Sequence, residues 1–200
     1  GSKLLLDLEE KMRSFGVEEV ICDYLKNEKE RNFILNRGYS PLLISNYMIY
    51  SGCRVYYGEH EIISYEDKYY EQSQKVISSS FHRMRLSLGL KSQEDLQSEE
   101  DKQWYRNNAE KIFLLRNKEE IIAVSILGDM EIDAVAVKIK EQGKGYGKAI
   151  VGYSINELLN KGTQISLWVV EGNPAKGLYE KLGFKTERIH EFVIKNIKKE

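Results

Sequence analysis

In the stretch KAIVGYSINELLNKG the apolar residues Val151, Ile155, Leu158 and Leu159 recur at i, i+4, i+7 and i+8. That is one face of a helix, and Gly162 follows as a stop signal, so the spacing predicts a helix over 145–161. Gln164 to Val170 reads as a strand. Asn173 and Pro174 then supply an N-cap and a proline at the first helical position, and Gly183 a C-terminal cap, which predicts a short helix over 174–182. The closing run Phe184 to Ile197 reads as two further strands. Upstream, the pattern predicts a Tyr-rich strand or linker over 54–70, a helix around 72–90 and a polar helix near 98–111. Strands follow at 111–116, 121–127 and 130–139, separated by the turns Asn117-Lys118 and Gly128-Asp129 as successive hairpin partners.

The pattern also repeats. KLLLDLEEKMRSFGVEEVICDYL mirrors GKAIVGYSINELLNKGTQISLWVV, with Gly16 facing Gly162 at an offset of 146. Asn36-Arg37-Gly38-Tyr39 faces Lys181-Leu182-Gly183-Phe184, and Tyr47-Met48-Ile49 faces Phe192-Val193-Ile194, both at an offset of 145. The expected organisation is a half-domain over 1–52, lacking its front half, followed by a complete domain over 53–200. Gly1-Ser2 reads either as a cloning scar or as the remnant of a lost glycine loop, because Gly1 falls on Gly147.

Composition narrows the function classes. The 200 residues are 42% hydrophobic and 30% charged, enough to bury one sizeable core and a smaller partial one. A net charge of -1, with no long run of like charge, argues against nucleic-acid partners. No stretch approaches the roughly 18 apolar residues of a membrane span, and the first residues carry no secretion-signal pattern, so the expectation is no membrane and a cytoplasmic setting. Cys22 and Cys53 lie far apart and near no histidine, which fits two unpaired thiols and no metal.

The candidate chemistry sits in EQGKGYGKAI, at a strand-to-helix junction. A dinucleotide fingerprint needs its third glycine at 148, but the glycine falls at 147; a P-loop needs a hydroxyl where Ala149 stands. What remains is Gln142-Gly143-Lys144-Gly145-Tyr146-Gly147, reading Q-x-x-G-x-G. About 26 residues beyond the loop comes Asn173-Pro174-Ala175-Lys176-Gly177-Leu178-Tyr179-Glu180-Lys181-Leu182-Gly183-Phe184. Together these two motifs, in this order, resemble the GNAT superfamily of acetyl-CoA-dependent N-acetyltransferases. The resemblance implies an α/β (mixed α+β) fold, with a mixed, mainly antiparallel sheet flanked by helices. It also implies acetyl-CoA as co-substrate and no metal.

Site residues follow from the same resemblance. Backbone N–H groups over Gln142, Gly143, Lys144, Gly145, Tyr146, Gly147 and Lys148 would cradle a pyrophosphate at a helix start, with the two lysines adding charge. The backbone of Val135 and Val137 would pair with the pantetheine arm, and Asn173 would either touch the cofactor or simply cap its helix. Tyr179 matches the family's acid, which protonates the departing thiolate. For the base, Glu131, Asp133 on the same strand face, or a water chain are the alternatives. The implied activity is transfer of acetyl to a primary amine of a small molecule or peptide; the alternative is a non-enzymatic acyl-CoA-binding sensor or scaffold. His82, Arg83 and Arg85 read as a solvated helical face near the acceptor, and Tyr65, Tyr69 and Tyr70 as packing aromatics. In the first copy Ile34 stands where Tyr179 would be, so that copy is expected not to catalyse. Neither the oligomeric state nor the acceptor is specified by these motifs.

Overall fold

A computed structural model describes residues 2–92 and 98–198; the expectation for Gly1 lies outside them. The elements begin with helix α1 (Ser2–Ser14), strand β1 (Glu19–Leu25), helix α2 (Glu28–Leu35), strand β2 (Ser40–Tyr50) and strand β3 (Glu61–Ser64). Helices α3 (Tyr70–Ser87) and α4 (Glu99–Asn107) precede three strands, β4 (Ile112–Asn117), β5 (Glu120–Leu127) and β6 (Glu131–Val137). The chain closes with helix α5 (Tyr146–Leu158), strand β7 (Ile165–Val170), helix α6 (Ala175–Leu182) and strand β8 (Lys185–Asn196). The final run is thus one strand, where two were expected. KTERIHEFVIKN holds no glycine or proline to turn the chain, so its central charges ride on a continuous strand. Contacts divide the chain into two compact units, Gly1–Tyr47 with Arg188–Glu200, and Met48–Glu187, so the partition runs through β2 and β8.

In the first unit α1, β1, α2 and β2 follow the same order as α5, β7, α6 and β8, and α2 and α6 are both eight residues long. Gly38 and Gly183 both adopt left-handed φ just after the short helix (81° and 106°), the conformation that ends a helix most cheaply when no side chain is present. β1 pairs antiparallel with β8, from Glu19↔Asn196 to Leu25↔His190. A small core of Ile34, Tyr39 and Val193 is joined by two buried carboxylates that are fully engaged. Glu9 accepts from Tyr39 Oη at 2.9 Å and from Lys195 Nζ at 2.7 Å; Glu191 accepts from Tyr24 Oη at 2.7 Å and from Arg31 Nε at 3.3 Å. Buried ions are tolerated where each carboxylate oxygen finds a donor in this way.

The second unit carries the sheet order β7-β6-β5-β4-β3, antiparallel except for β6 and β7. α5 packs across β4, β5 and β6 on one face; α3 packs across β5 and β6 on the other. β5 therefore has both faces covered, which is why IIAVSIL is buried at every position and does not alternate, its one polar side chain, Ser125, being bonded to Ser154 Oγ on α5 at 2.8 Å. Tyr65, Tyr69 and Tyr70 are buried in the α3-side core with Tyr105, as packing aromatics.

β6 departs from simple alternation. Ile126 faces Ala134 but Leu127 faces Ile132, which leaves Asp133 as the extra residue of a β-bulge. Ile132, Val135 and Val137 consequently share the α5 side, while Ala134 and Ala136 face α3. A strict two-residue period would place Glu131, Asp133, Val135 and Val137 on one face; the bulge breaks that series at Asp133.

Candidate active site

The glycine loop enters α5 through two residues in left-handed backbone, Gly143 (φ 80°) and Gly145 (φ 94°). A Cβ built on either would meet nothing within 4 Å, so their lack of side chains answers to conformation and open space and not to packing. Gly147 differs. A Cβ there would come within 3.2 Å of Leu178 Cδ2 and 3.7 Å of Val137 Cγ2, so this glycine lets α5 close on α6 and β6. No side chain caps the start of α5, and its first turn carries no acidic residue. Its leading N–H groups and the positive end of its dipole thus face outward without an internal anion, the arrangement that receives phosphate oxygens.

Beside the loop the sheet opens. β6 and β7 run parallel but register only at Glu131↔Ser166 and Ile132↔Leu167; beyond these pairs the strands part. The gap leads into a cavity of about 850 Å³ lined from α3, β6, the loop, β7 and α6. Of the residues expected at the site, Asp133, Val135, Val137, Gln142, Gly143, Gly145, Gly147, Lys148, Asn173 and Tyr179 line this cavity. Three do not. Lys144 pairs with Glu141 at 2.9 Å, and Tyr146 turns into the core against His60, ring centroids 5.7 Å apart. Glu131 accepts from Ser166 Oγ at 3.1 Å on β7.

The two carboxylates are therefore separated by the bulge. Asp133 lines the cavity, its pKa raised by partial burial, opposed by the positive charge of Lys111 and helped by the negative charge of Asp129. Its carboxylate lies over Gly128, where an added Cβ would come within 2.9 Å of Oδ1. Tyr179, which lines the same cavity, is only 8% exposed, its ring set edge-on to Phe184 at 5.9 Å. Burial pushes its hydroxyl up to about 12, so it carries its proton throughout the neutral range. Asn173 Oδ1 accepts from the Ala175 N–H at 2.9 Å, which accounts for it as a cap while it also lines the cavity.

Sequence reasoning missed Ser80 and Met84 on α3, Trp168 on β7 and Lys181 on α6, all of which line the cavity. Trp168 is a large residue 41% exposed in a strand whose other residues are buried or half-buried. Arg83, read as part of a solvated helical face, lines the cavity too.

Comparison with known proteins agrees with this geometry. The model of the acetyltransferase (GNAT) family matches residues 77–184, more than half of the chain. Over 65 residues the chain is 40% identical to the [ribosomal protein bS18]-alanine N-acetyltransferase of Haemophilus influenzae. That match takes in 32% of this chain and 44% of the relative, so it spans less than half of the relative's length. Among solved structures, a GCN5-related N-acetyltransferase from Sphaerobacter thermophilus superposes with a TM-score of 0.74 at 14% identity, covering 100% of this chain and 68% of that one. The PaiA N-acetyltransferase of Thermoplasma acidophilum, solved in complex with coenzyme A, gives 0.50 at 17% identity, covering 70% of this chain and 99% of that one. With its glycine loop, parted strands and matching family model, the chain belongs to the GNAT acetyltransferase family.

Proposed function

We propose that this protein transfers acetyl from acetyl-CoA to a primary amine by direct attack. The observation that carries the reading is the pair of left-handed glycines, Gly143 and Gly145, with free space above them at an uncapped helix start that opens into the cavity. A cradle of that kind fits a pyrophosphate, and Lys148 adds a positive charge beside it. The coenzyme A complex of the Thermoplasma relative supports the same ligand class.

When bound, acetyl-CoA would supply an activated thioester; the work of this chain is to hold it, remove a proton from the amine and return one to the leaving sulfur. Asp133 is the base in this reading, because it lines the cavity and its raised pKa brings it nearer to neutral pH. Glu131, bonded to Ser166, is left as a second choice, acting through water. Tyr179 is the acid: it is protonated at working pH and its ring is fixed by Phe184. The exposed edge of β6 where it parts from β7 would receive the amide-bearing arm.

For the acceptor, the α-amine of a peptide is the first candidate, because the Haemophilus relative is an alanine N-acetyltransferase of ribosomal protein bS18. Such an amine has a pKa near 8, well below that of a lysine side chain, so a carboxylate base has less to do. Residues 1–52 would be a structural half-copy without a site of its own, with Ile34 at the place of Tyr179. The two free cysteines fit a reducing, cytoplasmic setting.

The test is a thermal-shift titration with acetyl-CoA, which raises the melting temperature if the native state binds it. Turnover of an alanine-initiated peptide and of small amines, comparing wild type with Tyr179→Phe, then separates enzyme from sensor. An enzyme loses rate in the variant while keeping acetyl-CoA affinity; a sensor shows binding and no turnover in either protein.

A further inference from the structure

Two side-chain donors converge on one backbone carbonyl at the mouth of the cavity. Ser80 Oγ, from α3, donates to Val137 O at 2.9 Å, and Gln142 Nε2, from the edge of the glycine loop, donates to the same oxygen at 3.0 Å. A carbonyl oxygen has two lone pairs, so both are occupied. The Lys138 N–H goes to Ile122 O on β5 at 2.8 Å, and alternation along a strand then turns the N–H and C=O of Val137 to the other side, toward the parted strands. The oxygen lies on the side where a ligand arm would run, yet the protein's own side chains fill it.

The loop has few other ties. Three glycines in five positions leave its backbone with unusual freedom, and the Lys144–Glu141 pair is exposed. A ligand that had to order such a loop would lose affinity in doing so, whereas a loop already anchored would not.

We propose that Gln142 is a positioning residue that holds the glycine loop in its ligand-receiving shape through the Val137 carbonyl, and that Ser80 is a second one that fixes this carbonyl from α3 so that Gln142 can hold it. Gln142 acts on the loop and not on the ligand. The amide arm is left with the N–H of Val137 and both backbone groups of Val135. This rests on the acetyl-CoA reading above.

The experiment is isothermal titration of acetyl-CoA into wild type, Ser80→Ala, Ser80→Thr, Gln142→Ala and the Ser80→Ala/Gln142→Ala double variant. It is joined by amide spectra of Gly143 and Gly145 in the ligand-free proteins. Each alanine variant is expected to bind about threefold to tenfold more weakly, the worth of one neutral hydrogen bond. The double variant should bind no more weakly than the weaker single, because the two residues share one anchor. Ser80→Thr, which keeps the hydroxyl, should bind like wild type, and the two glycine amide resonances should move in ligand-free Ser80→Ala. Unchanged affinity in Ser80→Ala alongside a loss in Gln142→Ala would make Gln142 a direct ligand and overturn the proposal. So would losses that multiply in the double variant. If wild type itself fails to bind acetyl-CoA, the reading of the site falls, and the glycine resonances still decide whether the anchor exists.

Discussion

Replacing Gly145 by alanine separates what the loop's backbone costs from what it offers a ligand. The residue sits at φ 94°, and a Cβ there meets no atom within 4 Å, so the substitution introduces backbone strain and no clash. An L-residue held in the left-handed region costs about 1–2 kcal/mol, and the stiffer unfolded chain returns about 0.4–1 kcal/mol, leaving a net loss of roughly 1 kcal/mol. For a chain of this size that lowers the melting temperature by about 2–4 °C. Gly89 is a matched control in the same compact unit, with φ 71° and equally open space, but it does not line the cavity. Gly89→Ala should melt with the same small loss. The strain is present in free and bound protein alike, so by itself it leaves affinity unchanged. If phosphate oxygens approach the amides at 145, however, the new methyl displaces them, at about 1.5–3 kcal/mol for each charge-assisted hydrogen bond weakened. Calorimetric titration with acetyl-CoA should then show a loss of about 10- to 100-fold for Gly145→Ala and none for Gly89→Ala. Equal affinities in the two variants, with equal melting temperatures, would refute the argument that a ligand comes close to this backbone.

Tyr179→Phe should lower kcat by about 100-fold or more while leaving acetyl-CoA affinity intact, since it removes only the proton donor. Because burial raises the hydroxyl to about 12, wild-type activity should show no tyrosine-derived alkaline limb below pH 10; the stability held by the neutral side chain is present below its ordinary pKa and is lost as pH rises through about 12, readable by alkaline melting. Asp133→Asn should abolish the acidic limb of the rate profile in a peptide-acetylation assay. Its raised pKa means that the ionised form is disfavoured by folding, so the asparagine variant should melt no lower than wild type at neutral pH. Gly152→Ala places a Cβ within 2.8 Å of Tyr57 Cβ and 3.3 Å of Val55 Cγ2, and should destabilise by about 1–3 kcal/mol in chemical denaturation through overpacking.

The chain of residues by itself determined the helices and strands whose pattern is local. Val151, Ile155 and Leu158 recur at helical spacing and are fully buried, and Asn173 to Gly183 carries its own start and stop. It also determined the glycine loop, because left-handed backbone at 143 and 145 is a demand that glycine meets at least cost and so is written in the sequence itself. The place of Tyr179 on the cavity wall was foreshadowed by a motif confined to one short helix. What only the tertiary structure decided depends on a neighbour distant in sequence. The bulge that separates Asp133 from Glu131 exists in the register between β5 and β6, and no property of the segment EIDAVAV announces it. Lys144 was spent on Glu141, and Ser80 reached the Val137 carbonyl from 57 residues away. Propensity and periodicity act over a few residues and survive in one dimension, whereas the partner that fills a lone pair or shifts a strand by one residue is chosen when the elements pack.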